Sequence, residues 1–310
     1  MPQTITNGIG HATDVFGANY LPHRYAEFKG KQGIVGTETC STVSSRGVYA
    51  FPIEDKRCVT NQVPSWDMCP MHPNDYVPDV EFAAQDENQH VYGEFVWTGF
   101  DYLGEPDPWR GSARSSYFGI FDLCGFPKDR YWLYKSHWRP DIPLAHILPH
   151  WNWTLGQNIP VHVYSSGDAA ELFVNGVSQG RKIRQRGEYR FKWDSVPFVP
   201  GEVRVKTWKN GAPWAEDRRL TAGAFHHFEW TDTRWSEKFI FREVRAVDMK
   251  GCVVPDAALM VEVPTPAGYD VFGTCNGDAS DLRSLRSKEI KTFSGMALVV
   301  YKSAEERKGL

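Results

Sequence analysis

The sequence has little cysteine, and its cysteines are spaced too widely for a disulfide framework or a zinc site. Its 310 residues contain no CxxC pair and no Cys/His cluster with the spacing of metal ligands. The six cysteines are Cys40, Cys58, Cys69, Cys124, Cys252 and Cys275. We therefore predict reduced, mostly buried thiols, and we predict no metal and no cofactor.

Long apolar runs and an excess of one charge are also absent. Lys and Arg number 35 against 38 Asp and Glu, without a Lys/Arg-rich run, so nucleic acid is not a predicted partner. No apolar stretch approaches the roughly 20 residues that a membrane helix needs, so no membrane partner is predicted. Residues 1–17 do not place a charged region before an apolar one, so no signal peptide is predicted and cytoplasm is the default expectation.

Aromatic residues, by contrast, are abundant. They make up 14% of the chain, with 12 tryptophans, and hydrophobic residues in total make up 41%. Tryptophan serves both in cores and as a flat surface against sugar rings. The composition is therefore compatible with a carbohydrate-binding protein of two or three domains.

Two styles of sequence meet near residue 145. Before it, apolar runs at 14–20, 32–38 and 92–97 end in polar residues, which is typical of parallel strands covered by helices. Residues 128–138 carry aliphatic and aromatic side chains at helical spacing, with prolines just before and just after. We predict a helix there that packs on the sheet.

After residue 145 the pattern is that of β-structure. Asn175-Gly176 lies between two extended runs, which is the strongest short signal for a hairpin. Further strands are predicted at 159–164, 189–193, 201–208, 239–248, 259–263 and 297–302. Turn signals separate them at the spacing of antiparallel sandwiches, and 222–238 is interpreted as a linker between two sandwiches.

Glu38 is the strongest candidate for chemistry. It ends an apolar strand and is followed by a polar loop of small residues at 39–47. If the first part is a (β/α) barrel, the carboxyl ends of its strands form the active face, and a carboxylate there can attack an anomeric carbon. The alternative is a solvated or helix-capping glutamate.

Two other strand ends carry candidate residues. Tyr20, preceded by Asn19, could hydrogen-bond a nucleophile and set its charge state, or could be a packing residue. Trp97 could floor a sugar pocket or belong to a core. Asp101 and Glu105 follow Trp97 and could bind sugar hydroxyls or cap turns.

Four segments in this order closely resemble family 2 glycoside hydrolases of the β-galactosidase type. They are ANYLPHRY (18–25), VGTETCSTVSSRG (35–47), GEFVWTGFDYLGEP (93–106) and SSYFGIFDLCGFPKDRYWLYKSHW (115–138). The last segment resembles the final strand and helix of the family's catalytic barrel. The resemblance thus implies a TIM barrel of which this chain contains only the last three strands.

The rest of the chain resembles the family's C-terminal sandwiches. VHVYSSGDAAELFVNGVSQGRK (161–182) resembles the sandwich that follows the barrel. The segments 244–257, 273–281 and 293–303 resemble an immunoglobulin-like domain. We therefore expect an α/β part at 1–145 followed by two immunoglobulin-like β-sandwiches, at 146–224 and 225–310.

The resemblance also implies a mechanism. Family members are retaining, so one carboxylate attacks the anomeric carbon and a second protonates the leaving oxygen. Glu38 matches the nucleophile, Tyr20 the tyrosine that hydrogen-bonds it, and Trp97 the tryptophan against the sugar. Asn19, Trp97 and Asp101 are the expected substrate-binding residues, and a β-galactoside or related glycan is the expected substrate.

One departure from the family pattern changes the functional expectation. The family's acid/base glutamate follows an asparagine, and no Asn-Glu pair occurs in the 310 residues. We therefore expect little or no activity from this chain alone. The alternatives are a non-catalytic carbohydrate-binding or accessory protein, and a subunit completed by a chain that supplies the other barrel strands.

Overall fold

The computed structural model describes residues 5, 7–53, 61–71, 76–234 and 236–304. Of the six predicted thiols, Cys58 lies outside these ranges. The other five form no disulfide: Cys40 and Cys69 are buried, and three are half-buried. No helix among the described residues is long and apolar enough to cross a membrane.

The chain is mostly β-structure with short helices. Two α-helices span Pro78–Glu87 (α1) and Asp129–Trp138 (α2), and 3-10 helices span Ile9–Ala12 and Pro22–Phe28. The strands are β1 (Val15–Asn19), β2 (Gly33–Thr39), β3 (Thr42–Val43), β4 (Cys69–Pro70), β5 (Val91–Val96), β6 (Ala145–Leu148), β7 (Asn158–Ser165), β8 (Ala169–Val174), β9 (Val177–Ile183), β10 (Phe191–Pro197), β11 (Glu202–Lys209), β12 (Ala212–Leu220), β13 (His227–Arg234), β14 (Phe239–Val247), β15 (Met260–Glu262), β16 (Tyr269–Cys275), β17 (Glu289–Lys291) and β18 (Met296–Ser303).

The first part contains the predicted parallel strands. β1 and β5 both pair in parallel with β2, giving the order β1-β2-β5 in an open sheet. One face of the sheet buries Phe16, Ala18 and Ile34. The opposite face leaves Val15 at 44% and Phe95 at 68% of full exposure. The sheet is therefore covered on one side only.

The helix predicted at 128–138 is confirmed, and a second helix, α1, was not predicted. α2 begins one residue after the predicted start and ends at Trp138 as predicted. Its buried Leu133 and Tyr134 lie in one cluster with Phe82 of α1 and Tyr164 of β7, so the helix also packs on the second part of the chain. α1 escaped prediction because it is short and only weakly amphipathic.

The strand expected within 115–138 is wrong. The segment before α2 is irregular and contacts its neighbours through isolated bridges, Phe100 to Phe121 and Phe121 to Pro127. Its backbone N–H and C=O groups are satisfied individually; for example, the N–H groups of Thr98 and Ile120 donate to the carbonyls of Phe118 and Thr98. Such scattered pairing between two loops satisfies the backbone without a continuous ladder.

The second part consists of two sheets, β10-β7-β6 and β12-β11-β8-β9, and the predicted hairpin joins β8 to β9 at Asn175-Gly176. The core between the sheets takes side chains from both. Ile159, Val161 and Val163 of β7 pack in one cluster with Leu172 of β8 and Val205 of β11, which makes this part a β-sandwich.

The third part pairs β13-β14-β18-β16 in one sheet and β15-β17 in another. The predicted linker at 222–238 is wrong, because β13 pairs with β14 along its whole length, from His227 to Arg234. β13 is an edge strand whose described side chains are largely exposed, and Phe228 and Trp230 reach the core. The strand was not predicted because the residues of this edge strand are mostly polar.

A buried guanidinium, that of Arg130 on α2, ties the loops of the first part together. It donates to the carbonyls of Cys40 and Thr42, each at 2.9 Å, and also to the carbonyl of Phe118. Its Nε lies 3.4 Å from the Oδ1 of Asp67, and both side chains are fully buried. Arg130 therefore holds the chain that follows β2 in a fixed position.

Arg46 forms a second tie, between the first part and the third. Its Nε donates to Asp122 Oδ2 at 2.6 Å, and its NH2 group donates to the carbonyls of Asn276 and Phe293 at 2.9 and 3.0 Å. The Ser294 hydroxyl donates in return to the Arg46 carbonyl at 2.9 Å. The loop after Glu38 thus makes direct contacts with the segments that follow β16 and precede β18.

Replacing Arg130 should destabilise the protein, because Asp67 is buried with it as an ion pair. In Arg130→Met, Asp67 would remain buried without its cation, and we expect a loss of about 3–5 kcal/mol in the free energy of unfolding. Urea denaturation followed by tryptophan fluorescence measures it. Arg139→Met removes a closer pair, 2.7 Å from Asp141 but at the surface, and should leave the midpoint nearly unchanged. Equal effects of the two variants would contradict this assignment.

Candidate active site

The candidate site lies where β1 and β2 end side by side. The Tyr20 hydroxyl donates to Glu38 Oε1 at 2.8 Å, and both side chains are half-buried. A hydrogen bond to the charged form of a carboxylate stabilises that form and fixes the direction of its lone pairs. The structure therefore joins the two residues that the sequence singled out.

The local backbone explains why they meet. In the parallel register Ala18 faces Gly36, but Asn19 faces Glu38, so one extra residue, Thr37, is accommodated at the strand end. The Tyr20 N–H then donates to the Glu38 carbonyl at 3.0 Å, and Tyr20 itself adopts a left-handed φ of 55°. This irregularity turns the Tyr20 ring towards the neighbouring strand end.

Asn19 lies beside this pair. Its Oδ1 accepts a hydrogen bond from the Thr37 hydroxyl at 2.5 Å, and Asn19 remains half-buried while Thr37 is exposed. The contact fixes the amide so that its NH2 group points away from Thr37. Asn19 can thus present a donor next to the carboxylate of Glu38.

Trp97 follows the end of β5, the third parallel strand. Its backbone N–H donates to the Thr39 carbonyl at 2.8 Å, directly after Glu38 in the chain. The indole is half-buried and meets the Tyr102 ring edge to face, with centroids 6.0 Å apart. Three strand ends therefore place a phenol, a carboxylate and an indole on neighbouring segments.

Asp101 occupies a different environment from the one expected of a sugar ligand. It is 6% exposed, its Oδ2 lies 2.7 Å from the Lys128 ammonium, and its Oδ1 accepts the Gly119 N–H at 2.7 Å. Burial raises the pKa of Asp101 and lowers that of Lys128, although each charge favours the ionised form of the other. Both carboxylate oxygens are already engaged within the protein.

Glu94 is a half-buried carboxyl with a raised pKa that the sequence analysis did not single out. Its Oε2 accepts from the Thr39 hydroxyl at 2.5 Å and its Oε1 from the Trp138 indole N–H at 3.2 Å. Burial raises the pKa of Glu94 to about 7, against these hydrogen bonds and aided by the nearby charge of Glu81. The sequence feature that could have identified Glu94 is its position inside the apolar run 92–97.

Within the residues that the structure describes, no group of three or more His, Cys, Asp or Glu side chains has the arrangement of a metal site. The polar side chains of the site are instead bonded to one another.

Comparison with known proteins gives consistent results. A family model for a domain of unknown function, DUF4982, matches residues 156–215. The beta-galactosidase BoGH2A of Bacteroides ovatus is 37% identical over 307 residues, covering 93% of this chain and 36% of that protein. A putative beta-glucuronidase of Formosa agariphila is 39% identical over 126 residues, which are 38% of this chain and 12% of that protein.

Solved structures share the fold. The crystal structure of a beta-glycosidase from Bacteroides vulgatus superposes with a TM-score of 0.80 at 28% identity, covering 94% of this chain and 42% of that chain. These two proteins match this chain over most of its length, but this chain spans less than half the length of each of them.

Glu94 should make stability fall as pH rises. Between about pH 4.5 and about 7 the folded carboxyl keeps a proton that the unfolded one has lost, so the native state binds more protons and rising pH favours unfolding. We expect Glu94→Gln to gain stability relative to the original chain across this range, by up to about 3 kcal/mol. Urea unfolding at several pH values measures the difference.

Asp141→Asn is the matched control for this titration. The hydrogen bond from Arg139 lowers the pKa of Asp141 to about 2, so Asp141 is ionised in both states throughout the same range. The difference in the free energy of unfolding between Asp141→Asn and the original chain should therefore stay constant with pH. A constant difference for Glu94→Gln as well would disprove the raised pKa.

Proposed function

Because this chain belongs to glycoside hydrolase family 2 and corresponds to the C-terminal part of its members, we propose that it carries the nucleophile side of a retaining β-galactosidase site. The observation that supports this most directly is the 2.8 Å hydrogen bond from the Tyr20 hydroxyl to Glu38 at the ends of two parallel strands. Glu38 is the proposed nucleophile.

In the proposed reaction Glu38 attacks the anomeric carbon and forms a glycosyl-enzyme. The Tyr20 hydroxyl donates to the attacking carboxylate and orients it before the bond forms. Water releases the sugar from Glu38 in the second half of the reaction, with retention of configuration.

The neighbouring residues have separate proposed roles. The Trp97 indole forms the flat wall of the sugar site, since apolar faces of sugar rings stack on aromatic rings. Asn19 donates its amide to a sugar hydroxyl near the anomeric carbon. Asp101 positions the loop after Trp97 through its ion pair with Lys128, since both of its oxygens are bonded inside the protein.

The remaining part of the site is proposed to come from residues outside this sequence. A retaining enzyme needs a second carboxylate roughly 5 Å from the first, and the family's Asn-Glu pair does not occur here. The sheet β1-β2-β5 would be the last three strands of a (β/α)8 barrel whose lumen face is the one that exposes Val15 and Phe95. Residues 146–224 and 225–310 would be the two immunoglobulin-like sandwiches.

We propose a β-galactoside as the substrate, ahead of a β-glucuronide. The sequence similarity to a beta-galactosidase extends over 93% of this chain, whereas the similarity to a putative beta-glucuronidase extends over 38%. Both sugars would meet the same nucleophile, so the test of the mechanism does not depend on this choice.

The purified chain should hydrolyse a chromogenic β-galactoside no faster than its Glu38→Gln variant. The reason is that a general acid contributes about 100- to 10,000-fold in rate. Clear turnover by the chain, lost in Glu38→Gln, would contradict the need for a second carboxylate from elsewhere.

Mixing the chain with a separately produced polypeptide that carries the other barrel strands and an Asn-Glu should restore turnover. Tyr20→Phe should then lower kcat by about 10- to 100-fold, the value of a hydrogen bond to a charged group. Glu216→Gln, a surface carboxylate on β12, serves as the control and should leave the rate unchanged. Glycan binding without turnover in every mixture would favour the accessory protein instead.

A further inference from the structure

Two cysteines, Cys124 and Cys275, line one cavity where the first part of the chain meets the third. Both side chains are half-buried, and neither is in a disulfide. They are about 150 residues apart in sequence, so any bond between them would close a very long loop.

The backbone on each side is held in place. Asp122 Oδ1 accepts the N–H groups of Cys124 and Phe126, each at 2.9 Å, which closes a tight turn around Cys124. Cys275 ends β16, where it pairs with Leu298 of β18. Arg46 then joins the two segments by bonding both Asp122 and the carbonyl of Asn276.

Small molecules can reach the pair. Cys124 and Cys275 both line a cavity of about 740 Å³ with largely apolar walls. Phe100 and Phe272 on its rim are 60% and 51% exposed, so the cavity is open to solvent. Cys40 and Cys69, in contrast, are buried in the core.

We propose that Cys124 and Cys275 are a modification site, at which a small-molecule disulfide such as oxidised glutathione converts the two thiols into a disulfide that links the first part of the chain to the third. The protein loses two hydrogens and the reagent is reduced to two thiols. Both cysteines line one cavity and Arg46 joins the segments that carry them, so the bond needs no large movement of either segment.

The environment also assigns the order of attack. Interaction with Cys124 lowers the pKa of the Cys275 thiol, whereas burial raises the pKa of Cys124. Cys275 is therefore the thiolate that attacks the reagent and expels one thiolate. Cys124 then attacks the Cys275 sulfur of the mixed disulfide, its proton passing to the second departing thiolate.

The test is oxidation of the full chain with oxidised glutathione, followed by alkylation of remaining thiols and mass spectrometry of a non-reduced digest. We expect the chain to lose two alkylatable thiols and to yield a cross-linked peptide pair containing Cys124 and Cys275, which dithiothreitol separates. The oxidised chain should melt about 5 °C or more above the reduced chain.

Single variants identify the two steps. Cys124→Ser should accumulate glutathione on Cys275, since no second thiol resolves the mixed disulfide, whereas Cys275→Ser should react much more slowly at Cys124. Cys252→Ser, which removes another half-buried cysteine, should form the cross-link as the original chain does. The absence of a Cys124–Cys275 peptide from the oxidised original chain would overturn the proposal, and so would glutathione addition to Cys124 in Cys275→Ser as fast as its addition to Cys275 in Cys124→Ser.

Discussion

The candidate site depends on the positive charge of Arg130, which holds the backbone around the site. The guanidinium of Arg130 lies fully buried on α2 and donates to backbone carbonyls of two separate segments, one of which is the chain that follows Glu38. Five rigid donors in one plane can bind several carbonyls at once, which an ammonium group cannot do in the same geometry. The irregular segments at the strand ends are ordered by this one side chain and by the Lys128–Asp101 pair beside it.

Those two ion pairs explain why loops can position the site. Loops usually carry mobile backbone, yet here their carbonyls are bonded to buried cations that cannot move without losing compensation. The Tyr20–Glu38 contact is then fixed from one side by the β1–β2 register and from the other by the loop that Arg130 holds. A short polar network thus replaces the continuous strand that the segment before α2 lacks.

The sequence revealed the features that depend on local pattern. The three parallel strands, α2 and the Asn175-Gly176 hairpin followed from apolar periodicity and turn chemistry, and the family resemblance implied the hydrogen bond between Tyr20 and Glu38. The sequence failed where tertiary contacts decide. β13 is polar because it lies at an edge, and Asp101 resembles an exposed loop carboxylate until its buried partner Lys128 is seen 27 positions further along the chain. Glu94 was missed because burial, not sequence position, raises its pKa.

The contacts of Arg46 have a consequence for how the chain matures. The loop after Glu38 is bonded to the carbonyls of Asn276 and Phe293, which a ribosome delivers more than two hundred residues later. The loop after Glu38 consequently cannot reach its final form during the synthesis of its own segment, and its order depends on completion of the polypeptide. A chain cut short before Asn276 would retain Glu38 but would lack both carbonyls that hold its loop.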